Sequence, residues 1–138
     1  MKINYLQKYV YEVAWKHHAV DIPMPTWAQI EGTIRELDPF HHPWCWLFIG
    51  AGHDDPTDNC MTVMGGDGIY WLALSAGKYD QLRLFNPEKS DREVDVWTSD
   101  QGFADHEFHT TTDIELVIRV VRHFAETGEP LPENIWEV

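Results

Sequence analysis

The segment from Thr112 to Trp136, TDIELVIRVVRHFAETGEPLPENIW, constrains the fold more than any other stretch. Ile114, Val117, Ile118, Val121, Phe124 and Ala125 recur at the spacing of one helix face, while Glu115, Arg119, Arg122 and Glu126 take the other. A helix divided in this way must lay its apolar side against another part of the chain. Its ends are also written in the sequence. Thr112 with Glu115 three residues later reads as a capping box, and Gly128 followed by Pro130 stops the helix. Glu115 with Arg119, and Arg122 with Glu126, stand four apart, where opposite charges meet on a helix surface. Past the stop, Ile135 and Trp136 are apolar again.

The docking surface for that helix is expected in the middle of the chain. Trp44–Ile49 (WCWLFI) is an unbroken apolar run between His41-His42-Pro43 and Gly50-Ala51-Gly52, which suits a strand buried on both faces. Cys60–Met64 and Ile69–Leu74 flank Gly65-Gly66-Asp67-Gly68, the turn chemistry of a tight hairpin. Gln81–Phe85 and Glu93–Thr98 read as two further strands, the latter with Val94 and Val96 inward and Asp95 and Trp97 outward. Ser99 to Thr112 reads as a loop. Upstream, Thr26 with Gln29 forms a second capping box, and Trp27, Ile30, Ile34 and Leu37 line a short helix ended by Pro39. The segment from Ile3 to Val20 fits a helix through Tyr5, Leu6, Tyr9, Val10 and Val13, and a strand through Tyr9, Tyr11, Val13 and Trp15; its later part favours strand. The expected architecture is one α+β domain: a largely antiparallel sheet of about five strands with two helices packed on it.

A chain of 138 residues supports one core of moderate size, and its 43% hydrophobic and 13% aromatic fractions exclude a disordered chain. No run of about 18 apolar residues is present and no signal-peptide core follows Met1, so a soluble cytoplasmic protein is expected, without a membrane role. Cys45 and Cys60 are read as small buried hydrophobes on strands. The net charge is −13 and uneven: residues 1 to 40 carry five acids against four bases, the remaining 98 carry 18 against six. Such a surface repels phosphate backbones and draws basic protein clefts, which disfavours direct nucleic-acid binding. Acidity for solubility alone is the plainer account.

Motifs for chemistry are thin. Eight histidines and two cysteines supply potential ligands, yet no Cys-x-x-Cys or His-Glu-x-x-His spacing occurs, so no metal and no cofactor are expected. A metal-dependent hydrolase would have to use His53, Asp54, Asp55 and Asp58 with His106 or His109; a solvated loop with turn residues Pro56 and Asn59 explains the same cluster. The three glycines near Asp67 lack the Gly-Lys-Ser/Thr of a phosphate cradle, no Gly-x-Ser-x-Gly elbow is present, and the zinc-deaminase signature is absent. No catalytic residues are assigned.

The ending resembles the C-terminus of a family of bacterial immunity proteins from polymorphic toxin systems, the family found beside deaminase toxins. The features that carry the resemblance are Phe124 at the helix end, Thr127-Gly128, Pro130 and the terminal Ile135-Trp136. The acidic helix from Trp27 to Leu37-Asp38, the following strand and Gly65-Gly66-Asp67-Gly68-Ile69-Tyr70-Trp71 occur in an order similar to that family's, so the match spans Thr26 to Trp136. The Gly-Gln pair that many relatives carry before the last helix stands here reversed, as Gln101-Gly102. The resemblance implies a non-enzymatic antitoxin that binds a cognate toxin domain, a nucleic-acid-targeting deaminase first and a nuclease second, and occludes its active site. An acidic adaptor that binds some other protein is the nearest alternative. The candidate toxin-facing residues are the acids Asp54, Asp55, Asp58, Asp100, Asp105 and Glu107, with Trp97 and Phe103 as aromatic anchors inside an acidic rim. Burial of Trp97 beneath the N-terminal segment is the competing reading.

Overall fold

The computed structural model describes residues 1–50, 59–76 and 79–137. In chain order these form β1 (Tyr5–Val13), β2 (Lys16–Pro23), α1 (Trp27–Arg35), β3 (Trp44–Ile49), β4 (Asn59–Gly66), β5 (Ile69–Ala76), β6 (Tyr79–Leu84), β7 (Glu93–Trp97), β8 (Phe103–His106), α2 (Ile114–Thr127) and β9 (Trp136–Glu137). Seven strands make one sheet in the order β2-β1-β3-β4-β5-β6-β9, and β7 and β8 form a separate two-stranded ribbon. Each pairing in both sheets is antiparallel. The α+β class with two helices stands, but the sheet is larger than about five strands. The segment with two readings folds back on itself as the β1–β2 hairpin, part of the expected loop after Ser99 becomes β8, and the apolar ending becomes β9.

Both helices cover one face of the sheet. Ile30 and Ile34 of α1 and Val117, Val120, Val121, Phe124 and Ala125 of α2 are buried against Leu6, Cys45, Leu47, Met61, Val63, Leu72 and Leu74. Thr26 caps α1 as its sequence predicts, with Gln29 returning the bond to the Thr26 amide. The start of α2 differs from expectation: Asp113, not Thr112, is the N-cap, and its carboxylate accepts from the amides of Glu115 and Leu116. The Arg122–Glu126 pair forms at 3.0 Å, whereas Glu115 reaches Arg35 on α1 and Arg119 reaches Glu133. Tertiary partners displace the local Glu115–Arg119 pair because a helix ion pair contributes only about 0.2–0.5 kcal/mol. Gly128 closes α2 at φ 75.

β3 is interior to the sheet and sends alternate residues to opposite faces. Cys45 and Leu47 enter the helix-covered core, while Trp44, Trp46 and Phe48 lie on the other face with Tyr5 and Tyr9 of β1. Cys45 and Cys60 are free, and complete burial pushes the Cys45 thiol up to about 12. The β4–β5 turn places both Asp67 (φ 52) and Gly68 (φ 87) in the left-handed region, the geometry of a type I′ hairpin. Gly66, one residue earlier, has φ +127, and a Cβ there would lie 2.3 Å from the Leu37 carbonyl oxygen. Alanine at Gly66 should therefore lower stability by about 3 kcal/mol, through strain and displacement of the α1 end. Alanine at Gly32, inside α1 with nothing within 4 Å of the added carbon, should raise it by about 0.5–1 kcal/mol. Urea unfolding midpoints of the two variants check both signs.

Candidate protein-binding face

The β7–β8 ribbon lies on the sheet face opposite the helices. Val96 is buried with Trp71 and Ala73 of β5, and Met64, Trp97 and Phe103 pack around them. Its turn is set by Asp100 (φ 55) and Gly102 (φ 70), with the Gly102 amide donating to the Ser99 carbonyl. The Thr98 amide donates to the Pro39 carbonyl at 2.6 Å, which ties that turn to the segment after α1.

Trp97 is where simple alternation fails. Val94 and Val96 point inward as expected, but a register shift between Asp95 and Trp97 turns the next side chain onto the sheet as well. The Trp97 ring sits 4.6 Å from Trp44 and its Nε1 donates to Met64 Sδ at 3.2 Å; the Phe103 ring stands edge-on to Trp71 at 5.3 Å. Both are half-buried rather than free anchors. Trp97 contacts the N-terminal strand, at 6.5 Å from Tyr11, but the ribbon's own seat on β3, β4 and β5 does most to cover it.

These residues nevertheless share one feature. Asp95, Trp97, Asp100, Gln101 and Phe103 line a shallow notch at the ribbon's turn, which thus joins two exposed acids to two half-buried aromatic residues. No lysine or arginine lines it. Burial, and then the nearby Asp100 charge, raises the Tyr11 phenol above its ordinary range. Asp95 was absent from the sequence candidates although its place between two inward valines already turned it outward. Between Glu88 and Glu107 the chain carries seven acids against two bases.

Asp105 and Glu107 are committed elsewhere. Asp105 Oδ1 meets His109 Nδ1 at 2.8 Å and the His106 amide at 2.6 Å, its Oδ2 accepts from Trp71 Nε1 at 2.9 Å, and Arg83 stands 3.7 Å away. His109 Nε2 meets Glu137 Oε1 at 2.9 Å, so β8, the turn after it, β6 and β9 are clasped around one buried imidazole. Both ring nitrogens face carboxylates. Glu107 is held by Arg92 and Ser90, chiefly by the 2.8 Å Arg92 bond, which lowers its pKa. Asp54, Asp55 and Asp58, with His53, lie outside the described residues.

The clasp also removes His109 from metal chemistry, since both nitrogens are engaged, and His106 gives its Nδ1 to the Asp91 carbonyl. Among the described residues no group of three or more His, Cys, Asp or Glu side chains is placed to hold a metal ion. Among the described residues no helix is long and apolar enough to cross a membrane. Compared with known proteins, the chain matches no family model, no curated protein and no solved structure.

For Asp105, burial works to raise the carboxyl pKa, but the bonds from His109, the His106 amide and Trp71 together hold it below the ordinary range. A depressed folded value means stability that is present above the unfolded pKa of about 4 and is lost as pH falls through the folded one. Asp105→Asn keeps the shape and removes the charge, so it should cost on the order of 2–3 kcal/mol at neutral pH. Unfolding curves of the two proteins should converge as the medium is acidified below pH ~4.

Proposed function

We propose that this chain is an immunity protein: a non-enzymatic inhibitor that docks its ribbon face on a cognate toxin domain of the nucleic-acid-targeting deaminase class and shields that domain's active site. The observation that carries the reading is the notch at the ribbon's turn, lined by the exposed Asp95 and Asp100 together with the half-buried Trp97 and Phe103. Carboxylates grouped with aromatic side chains suit a lysine or arginine, which the acids pair and the rings attract. Enzymes that act on nucleic acids carry such cations to hold phosphate, and a surface of net charge −13 steers a basic cleft toward itself. The C-terminal resemblance supports the choice of partner, through Phe124, Thr127-Gly128, Pro130 and Ile135-Trp136.

Inhibition in this scheme needs no reaction. The ribbon occupies the space through which a nucleotide would enter, and its carboxylates take the places of phosphate oxygens on the toxin's cations. The clasp at His109 and the Thr98–Pro39 bond hold the ribbon in its bound shape beforehand, which reduces the entropy lost on docking.

Co-expression with the toxin domain encoded beside it provides the test. Wild-type protein should restore growth and co-purify with the toxin, and absence of both would overturn the proposal. Asp95→Lys with Asp100→Lys should slow association by about tenfold or more at low salt while leaving the melting temperature near that of wild type. Undiminished association by that double variant would remove the notch from the interface.

A further inference from the structure

The two margins of the large sheet end differently. One closes on β9, a strand of two residues, whereas the other is β2, eight residues long and exposed along most of its length. The Met24 amide donates to the Asn4 carbonyl, which fixes the phase of the β1–β2 ladder. Even-numbered residues of β2 turn their backbone groups toward β1, and His17, Ala19 and Asp21 present N–H and C=O to the open side. Pro23, the next odd position, has no N–H to offer there.

We propose that β2 is a self-association edge, at which two copies of this chain pair antiparallel about a two-fold axis at Ala19 and extend the sheet through both molecules. In that register His17 stands opposite Asp21 of the second copy on each side of the axis, and Ala19 faces Ala19, where small side chains allow close approach. Asp21 gives one oxygen to Gln7 Nε2 at 2.9 Å and keeps the other for the histidine. Centring on His17 or Asp21 instead would oppose like residues, and centring on Val20 would set His17 against Pro23, which lacks a donor.

Two further observations mark the same edge. Trp15, 81% exposed in the hairpin turn just before β2, and Met24, 74% exposed just past it, flank this edge at its two ends. Both are large apolar side chains left in solvent by the single chain, at opposite ends of β2. Charge permits the approach as well. Up to Pro25 the chain carries three lysines against two acids, so the acidity that would drive copies apart belongs to the rest of the molecule. The proposal is independent of any toxin.

Sedimentation and light scattering of the isolated chain across a concentration series, at physiological ionic strength, should show a reversible dimer. In amide exchange, protection of His17, Ala19 and Asp21 should rise with concentration. Ala19→Pro removes an outward N–H that the single chain does not use and should give a folded monomer. His17→Asp opposes two acids and should weaken the dimer at least about tenfold. A chain that stays monomeric at every concentration, as it would if this edge served a different protein, overturns the proposal; so does a dimer unaffected by either substitution.

Discussion

The structure depends on the apolar run of β3, which lies inside the sheet and requires cover on both sides. Cys45 and Leu47 are sealed by the helices, and Trp44 meets Trp97 of the ribbon. Fully burying a side chain such as Leu47 stabilises by about 1.5–3 kcal/mol. That gain is available only if a second layer occupies each face. The sheet is consequently sandwiched between unlike layers: two amphipathic helices, whose apolar stripes fit a flat aliphatic surface, and a narrow ribbon set among aromatic rings. The ribbon is short because its half of the face is already partly filled by Tyr9, Tyr11 and Trp44 stacking on one another.

Features written within a few residues were legible before any coordinates. The Thr26 capping box, the Asp67-Gly68 turn, the Gly128 stop and the β3 run each depend on chemistry that neighbours supply. Features decided by distant partners were not. Thr112 and Asp113 are both competent caps, and the adjacent Tyr70–Thr111 bridge, which anchors the chain just before them, accompanies the choice of Asp113. β8 and β9 are too short to show a period, and Phe-Ala-Asp-His has no alternation of apolar residues. β9 comes into view only because β6 lies alongside to pair with it.

The same division runs through the candidate site. Asp100 is exposed, as a residue at the tip of the ribbon's turn readily is. Asp105, five positions away, looks identical in sequence, yet Trp71, Arg83 and His109 gather around it from other elements. Nothing near Asp105 in the chain announces Glu137, which completes the clasp from the far end. Trp97 was misplaced by a single irregularity, the register shift that overrides strict alternation. A period of two holds only while the ladder is regular, and one extra residue reverses every side chain beyond it.

The clasp and the notch are linked by position, and that link bears on what the ribbon can do. β7 and β8 pair only with each other, and an isolated two-stranded hairpin is marginal in water. Its shape must come from contacts beyond its own ladder. At one end the Asp105–His109–Glu137 chain fastens β8 to β9 with charge-assisted bonds, and at the other the Thr98 amide is bonded to the Pro39 carbonyl. The carboxylates of Asp95 and Asp100 therefore project from a strip of backbone fixed at both ends, although they are themselves exposed. Loosening the clasp should release the β8 end first and leave the Asp100 turn tied to Pro39 through Thr98, because that bond does not pass through His109.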